Sequence, residues 1–121
     1  MCGIFGAVSS KNIQSNLIAG LQKLEYRGYD SSGLSIFNGR NKIQRLRRAG
    51  KIKELKKDLS RSKLTGLCGI AHTRWATHGE PILKNSHPHN SSCVSIVHNG
   101  IIENSDELKK ILVRKKYKFT S

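Results

Sequence analysis

The hydrophobic residues of this chain follow strand and helix spacings in turn. Residues 3–8 form a short apolar run with glycines at positions 3 and 6, which is typical of a buried strand approached closely by other backbone. A helix is predicted next, with Asn12 as its cap and apolar residues at intervals of four, four and three, namely Ile13, Leu17, Leu21 and Leu24. Residues 25–33 are polar and rich in glycine, and they predict a loop.

A hairpin and a second helix are predicted after that loop. Leu34 and Ile36 alternate with polar residues up to Asn38-Gly39, a dipeptide that favours a two-residue turn. The returning strand then falls at about residues 42–48. A short, very basic helix follows, and its buried residues are predicted to be Ile52, Leu55 and Leu59.

The second half of the chain predicts two strands, a long loop and a helix. Strands are expected at residues 67–72 and 93–98, separated by a polar stretch of the kind that usually carries function. Ser105 is the predicted cap of a helix that carries Leu108, Ile111 and Leu112. Residues 117–120 alternate like the beginning of another strand, so we expect the sequence to be incomplete at its C-terminus. The order of elements suits an α+β or layered α/β protein.

Length, charge and cysteine usage limit the class of protein. The 121 residues allow at most one ordinary domain, or part of a larger one. A net charge of +14 permits nucleic-acid or anionic-membrane binding, but aromatic residues make up only 6% and no nucleic-acid motif is present. No apolar run is long enough for a bilayer and no leader precedes Cys2. The odd number of cysteines fits a reducing compartment. We therefore expect a cytoplasmic protein without a nucleic-acid or membrane partner.

Metal and nucleotide sites are not predicted. The five histidines and three cysteines include no C-x-x-C or H-E-x-x-H spacing, and the one close pair is His87-Pro88-His89. Gly3 and Gly6 open no helix, and no Gly-Lys-Ser/Thr follows them. Histidines such as His72 and His98 are interpreted as satisfied side chains at strand ends. No metal and no cofactor is expected.

Cys2 is the first candidate for chemistry because it follows the initiator methionine. If Met1 is removed, Cys2 carries a thiol and a free α-amino group, and near neutral pH the amine can accept the thiol proton during attack. The alternative is that Cys2 only begins a buried strand, as unreactive cysteines often do.

Polar residues at the ends of predicted elements fit one reaction. An amide attacked by a thiol forms a tetrahedral oxyanion, and the Asn99 side chain with the Gly100 N–H supplies two donors for it. A substrate α-carboxylate is well matched by a guanidinium such as that of Arg74. Taken singly, each has a simpler interpretation: Arg27 at a helix C-terminus, Arg74 in a surface ion pair, and Asn99-Gly100 as a turn.

Five motifs in order resemble those of the class II glutamine amidotransferases. They are Cys2-Gly3-Ile4-Phe5-Gly6, Arg27-Gly28-Tyr29-Asp30-Ser31-Ser32-Gly33, His72-Thr73-Arg74-Trp75-Ala76-Thr77-His78-Gly79-Glu80-Pro81, His87-Pro88-His89 and His98-Asn99-Gly100-Ile101-Ile102-Glu103-Asn104. The second and third motifs are most similar to the glutaminase domain of the glucosamine-6-phosphate synthases. The resemblance covers essentially the whole chain.

This resemblance implies a four-layer αββα N-terminal nucleophile hydrolase fold and a set of roles. Cys2 would be the nucleophile, and Asn99 and Gly100 would form the oxyanion hole. Arg74 would bind the glutamine α-carboxylate, with Thr77 and His78 lining the same pocket, Trp75 in the loop that closes over glutamine, and Arg27 positioning the Cys2 end. In the full enzymes the ammonia passes to fructose 6-phosphate and gives glucosamine 6-phosphate, and a homo-oligomer is expected.

The resemblance also implies elements that are missing from residues 1–121. An Asp just past the strand predicted at residues 117–120 would bind the glutamine α-amino group, and the sugar-isomerase domains would follow. We therefore expect the N-terminal portion of a glutaminase domain. Two alternatives stay open: an inactive remnant or a subunit completed by another chain, and a small basic nucleic-acid-binding protein.

Overall fold

A four-stranded antiparallel sheet forms the centre of the molecule. The computed structural model describes residues 1–40 and 42–120. The strands of the sheet are β1 (Gly3–Val8), β2 (Ser31–Phe37), β3 (Ile43–Ala49) and β4 (Cys68–Arg74). Their order across the sheet is β1-β4-β2-β3, and each neighbouring pair is antiparallel. The N-terminus of the chain thus lies beside the C-terminal end of β4.

Two helices cover one face of this sheet and enclose the core. They are α1 (Gln14–Leu24) and α2 (Ile52–Leu59). The spacing correctly predicted the buried residues of both helices except that Leu24 is only partly buried and Ile18 is buried in addition. Together with strand residues of the same face, the buried apolar residues are Ile13, Leu17, Ile18, Leu21, Leu34, Ile36, Ile52, Leu55, Leu59 and Ala71. Each large side chain removed from water stabilises the fold by roughly 1.5–3 kcal/mol.

Close packing of α1 on β1 requires a glycine within the helix. A Cβ atom at Gly20 would overlap the ring of Phe5, which packs against the core. A glycine inside a helix costs about 0.5–1 kcal/mol relative to alanine. Here that cost is offset by the contact that it allows between helix and strand.

The opposite face of the sheet is covered by the segment that contains a small second sheet. This sheet pairs β5 (His89–Ser91) with β6 (Val94–Ile96). The Ser35 hydroxyl donates to Oδ1 of Asn90 at 3.3 Å, and Arg45 Nη1 donates to the Pro88 carbonyl at 3.3 Å. The third helix, α3 (Ser105–Arg114), follows β6 in the chain and has no buried residue. The molecule thus combines helices α1 and α2, the four-stranded sheet, the second sheet and α3. This is the α+β organisation expected from the sequence.

Several predicted boundaries were wrong by a few residues. Residues 25–33 are a short 3₁₀ helix, Glu25–Arg27, followed by a loop and the first residues of β2, because Ser31 to Gly33 pair with both β3 and β4. The hairpin connection after Phe37 runs over residues 38–42, and Asn38 N–H donates to the Lys42 carbonyl at 3.2 Å. It is therefore longer than the two-residue turn predicted from Asn38-Gly39. Asn41 lies outside the described residues.

Both predicted helix caps and the last predicted strand also differ from the structure. Ile13 and Asn104 occupy the N-cap positions of α1 and α3, one residue from the predicted Asn12 and Ser105. Asn12 still accepts a hydrogen bond from Gln14 N–H at 3.4 Å. Residues 117–120 form no strand, because a strand needs a neighbouring strand to pair with and none of the described strands is hydrogen-bonded to them.

Candidate active site

The register of β1 against β4 places Cys2 next to Trp75. Gly3 pairs with Thr73, so the residue before β1 lies beside the residues that follow β4. The backbone N–H of Trp75 donates to Cys2 Sγ at 3.2 Å, and the same sulfur lies 3.5 Å from the Trp75 carbonyl oxygen. Cys2 is half-buried, and its sulfur is held by backbone at the end of a buried strand.

Gly3 and Thr73 fix the chain directly after Cys2. The Gly3 N–H donates to Thr73 Oγ1 at 3.2 Å, and that hydroxyl donates to the Leu24 carbonyl at 3.5 Å. A Cβ atom at Gly3 would lie 2.8 Å from both Leu24 Cβ and Thr73 Oγ1, closer than such atoms pack. Gly3 is therefore required by close approach, and the buried Thr73 anchors the cysteine end of β1.

Asn99 contacts Cys2 across 97 positions of sequence. Its Nδ2 donates to the Cys2 carbonyl oxygen at 3.1 Å, and its Oδ1 lies 2.9 Å from His72 Nε2. Gly100 follows with a φ of 142°, a backbone conformation that residues with a Cβ rarely adopt. The structure thus brings the predicted Asn99-Gly100 pair to the predicted nucleophile.

Arg74 is buried and organises the loop after β4. Its Nη2 donates to the carbonyls of His78 at 2.6 Å and Gly79 at 3.2 Å, and its Nη1 donates to the Glu80 carbonyl at 2.9 Å. It also lines a cleft of about 460 Å³, whose other walls are His78, Gly79, Asn85, His87 and His89. The buried guanidinium both shapes the cleft and adds positive charge to its wall.

Trp75, Thr77 and His78 lie along the exposed loop above this cleft. The Trp75 ring packs edge-on against Tyr29, with ring centroids 5.2 Å apart, and 40% of its surface is exposed. Thr77 Oγ1 lies 3.2 Å from His78 Nδ1, and both residues are exposed. Of the two, His78 lines the cleft together with Arg74.

The Arg27 side chain contacts the neighbouring Tyr26 and not Cys2. Its Nε donates to the Tyr26 hydroxyl at 3.1 Å, and its guanidinium lies 5.5 Å from the centre of the same ring. Among residues 1–40 and 42–120, no hydrogen bond or ion pair joins Arg27 to Cys2. The following Gly28 does lie against the site, since a Cβ there would be 2.6 Å from the Arg74 carbonyl carbon.

Asp30 is a site residue that sequence reasoning missed. Its Oδ2 accepts the Ala76 N–H at 2.6 Å, and its own N–H donates to the Arg74 carbonyl at 3.0 Å. These bonds fix the backbone on both sides of Trp75, which holds Cys2 Sγ. The sequence feature that could have identified Asp30 was its place in the motif of residues 27–33. Its partner could not be known before the strand register was.

His72 was also missed, because a histidine at a strand end was interpreted as a satisfied side chain. It is 1% exposed and stacks on His87 with ring centroids 4.4 Å apart, and His87 in turn packs on His89 at 4.5 Å. Burial lowers the pKa of His72 to about 4, with Arg74 and His89 contributing and the Asn99 hydrogen bond opposing. Burial and the neighbouring His72 lower the pKa of His87 to about 3, and burial beside Arg47 lowers that of His89.

These shifts predict that the protein loses stability in mild acid. The unfolded histidines have a pKa near 6.5 and the folded ones near 4 and 3, so unfolding near pH 5 takes up about two protons. Stability therefore falls as pH drops from about 6.5 towards about 4. The measurement is the free energy of unfolding in urea as a function of pH. On unfolding near pH 5, the His87→Gln variant is expected to take up about one proton fewer than the unmodified protein. An unchanged proton uptake would show that these histidines are not the source of the pH dependence.

Within residues 1–40 and 42–120, no group of three or more His, Cys, Asp or Glu side chains is arranged to hold a metal ion. None of the helices in that part of the chain combines the length and apolarity needed to cross a bilayer. Cys2, Cys68 and Cys93 are free thiols.

Comparisons with known proteins show which proteins this chain is similar to. The glutamine–fructose-6-phosphate aminotransferase (isomerizing) of Haemophilus influenzae is 53% identical over 121 residues, which are 100% of this chain and 20% of that protein. This chain is a homologue of the N-terminal region of such aminotransferases. The protein of the same name from Francisella tularensis subsp. tularensis is 55% identical over 122 residues, again 100% of this chain and 20% of the relative. The chain therefore spans one fifth of the length of the curated relatives that it matches. No protein-family model matches the chain.

Solved structures show the same fold. The glutamine phosphoribosylpyrophosphate amidotransferase of B. subtilis, in complex with ADP and GMP, aligns with a TM-score of 0.81 and 26% identity over 98% of this chain and 26% of its own. A structure described as the allosteric regulatory enzyme of purine biosynthesis aligns with a TM-score of 0.85 and 26% identity over 100% of this chain and 27% of its own. The predicted N-terminal nucleophile hydrolase fold is confirmed.

Proposed function

We propose that this chain is the N-terminal portion of a glutaminase domain that releases ammonia from glutamine, with Cys2 as nucleophile. Once Met1 is removed, the Cys2 α-amine takes the thiol proton while the sulfur attacks the side-chain carbonyl carbon of glutamine. The proton passes to the amide nitrogen, the carbon–nitrogen bond breaks, and ammonia leaves a γ-glutamyl thioester. Water then hydrolyses the thioester to glutamate and restores the thiol.

The observation that carries this proposal is the contact of Asn99 with Cys2. The Asn99 amide nitrogen donates to the Cys2 backbone carbonyl oxygen at 3.1 Å, so it lies next to the residue that attacks. Its second N–H is the donor that we propose for the substrate oxygen on which negative charge develops. The Gly100 N–H is the second donor that we propose for this oxyanion. Preorganised donors of this kind typically contribute the largest single term in acyl transfer.

The cleft beside Arg74 is the site that we propose for the amino-acid end of glutamine. A guanidinium matches the α-carboxylate, and His78 forms part of the cleft wall. We propose that Thr77, its neighbour in the chain, contributes to the same site. For the carboxylate to bind, it replaces part of the hydrogen bonding between Arg74 and the carbonyls of residues 78–80. In this proposal Trp75 covers the bound substrate, and Arg27 acts on the site indirectly, through the backbone that it shares with Gly28.

For the longer protein we propose the activity that the relatives' name describes. The ammonia would be used on fructose 6-phosphate, which yields glucosamine 6-phosphate, and the sugar-binding part would lie outside residues 1–121. A homo-oligomeric, cytoplasmic enzyme is part of the same proposal. The three free thiols are consistent with a reducing compartment.

A second candidate is a subunit that works only when another polypeptide segment completes it. The exposed apolar residues of α3 and its flanks favour it: Ile101 is 67%, Val113 is 54% and Tyr117 is 61% exposed. Apolar side chains clustered on one surface usually mark an interface.

Ammonia release decides between the two candidates. We expect protein whose intact mass shows loss of Met1 to convert glutamine into equal amounts of ammonia and glutamate. Added hydroxylamine should divert part of the product to γ-glutamyl hydroxamate, because it intercepts the thioester. Protein that keeps Met1 should release none, since its Cys2 nitrogen is an amide. A folded, processed chain that forms neither product would reject the first candidate for this chain and favour the second.

A further inference from the structure

We propose that His72 is a positioning residue: as the Nε2–H tautomer, it holds the Asn99 carboxamide with its nitrogen turned towards Cys2. The kinetic consequence rests on the proposed glutaminase function, whereas the hydrogen-bond arrangement does not. Nothing in the resemblance that led to Cys2, Asn99 and Arg74 assigned a role to this histidine.

The direction of the Asn99 side chain follows from its two partners. The atom nearest Cys2 faces a carbonyl oxygen at 3.1 Å, and a carbonyl accepts only, so the Asn99 atom there is the donor Nδ2. Its Oδ1 then faces His72 Nε2 at 2.9 Å. Because Oδ1 accepts only, His72 Nε2 must carry the proton.

Turning the carboxamide over breaks both bonds. Oδ1 would then face the Cys2 carbonyl, which puts two acceptors together, and Nδ2 would face a protonated Nε2, which puts two donors together. Such a flip would also present an oxygen to the developing oxyanion in place of an N–H group. One protonated ring nitrogen on His72 therefore selects the catalytically useful orientation of Asn99.

The other ring nitrogen favours the same tautomer. His72 Nδ1 is buried and has no hydrogen-bond partner among the described residues. A proton on Nδ1 would leave a buried N–H unsatisfied and also remove the donor from Asn99, so both changes would cost free energy. The Nε2–H form satisfies the one partner that is within reach.

The position of His72 on β4 makes it a rigid support. It is 1% exposed, pairs in register with Gly33 of β2 and Ile4 of β1, and stacks on His87. The groups around it are Arg74, His87 and His89, and burial among them keeps the ring neutral with a pKa near 4. A neutral, fixed imidazole at neutral pH is what a lasting Nε2–H donor requires.

The first test reads the hydrogen bonds without relying on activity. In ¹⁵N NMR spectra of the chain, His72 should show a protonated Nε2 and an unprotonated Nδ1 near pH 7. The Asn99 side-chain amide should give two resolved, slowly exchanging proton signals. His72→Leu should lose that protection, and His72→Gln should retain it because the glutamine amide nitrogen can replace Nε2–H. A protonated Nδ1 in the unmodified protein would overturn the proposal.

The second test reads the kinetic consequence. His72→Leu should lower kcat for ammonia release by about 10- to 100-fold with a much smaller change in KM, since a misplaced donor weakens the transition state more than the ground state. His72→Gln should recover most of kcat. Ile70→Val, two residues earlier on the same face of β4, should leave kcat unchanged.

Alkylation of Cys2 by iodoacetamide separates positioning from structural collapse. This reaction forms no oxyanion, so its rate should be the same in His72→Leu and unmodified protein. Equal kcat values in His72→Leu and unmodified protein, or equal losses in His72→Leu and His72→Gln, would overturn the proposal. If the unmodified chain releases no ammonia, the proposed function of this chain fails, and the NMR test still decides the role of His72.

Discussion

Protein in which Cys2 is replaced by alanine is expected to release no ammonia from glutamine while it keeps the fold. The sulfur is the only proposed nucleophile, and no other group can form the thioester. Cys2 precedes β1 and is not part of the buried core, so the core packing stays intact. The assay is ammonia and glutamate release by Met1-processed protein, with circular dichroism to confirm folding.

The chain provides matched controls for this loss. Cys68 and Cys93 are free, exposed thiols away from Trp75, so Cys68→Ala and Cys93→Ala should retain the unmodified rate. Hydroxamate formation should disappear only in Cys2→Ala. Equal ammonia release by Cys2→Ala and unmodified protein would show that Cys2 is not the nucleophile.

Replacement of Asn99 by alanine is expected to lower kcat by about 100- to 1,000-fold with little change in KM. Removing one donor from an oxyanion hole typically costs roughly 3–4 kcal/mol of transition-state stabilisation. The cleft beside Arg74, which we propose as the substrate site, does not include Asn99 among its lining residues, so KM should change little. Initial rates across a range of glutamine concentrations give both constants.

Asn38→Ala is the matched control for the asparagine replacement. Asn38 accepts the Arg40 N–H at 3.0 Å in the hairpin connection, so this variant loses a local hydrogen bond far along the sheet from Cys2. Its kcat should stay within about twofold of the unmodified value, as is usual for surface substitutions. A similar loss in both variants, or an Asn99→Ala change confined to KM, would contradict the oxyanion role.

The core could be predicted from the sequence because it depends on local periodicity. The spacing of Leu17, Leu21, Ile52 and Leu55 identified the buried faces of α1 and α2, and alternation at Leu34 identified β2. Helix caps were less predictable, since Asn12 and Ser105 are good cap residues one position from the actual N-caps. Tertiary contacts such as the one between Ile13 N–H and the Gly66 carbonyl at 3.0 Å decide where α1 begins.

Only residue types and the resemblance to a known family allowed residues of the site to be predicted from the sequence. Cys2 and Asn99 were predicted to belong to one site, and the Asn99 amide donates to the Cys2 carbonyl oxygen. His72 and Asp30 were missed because their roles depend on which strand lies beside which. The spacing of residues within β1 or β4 does not indicate that Gly3 pairs with Thr73, and the contact of Cys2 Sγ with Trp75 follows from that pairing.

The run of residues 72–75 indicates where this chain could tolerate inserted residues. Successive side chains of a strand point to opposite faces, so His72 reaches Asn99, Thr73 reaches the Gly3 N–H, and Arg74 reaches the loop of residues 78–80. An inserted residue inside this run would exchange the faces and separate all these partners at once. Insertions between residues 81 and 84 lie beyond the carbonyls that hold Arg74, so they would reshape the cleft and leave these three contacts in place. Variation in length is thus tolerated better in this loop than in the run of residues 72–75.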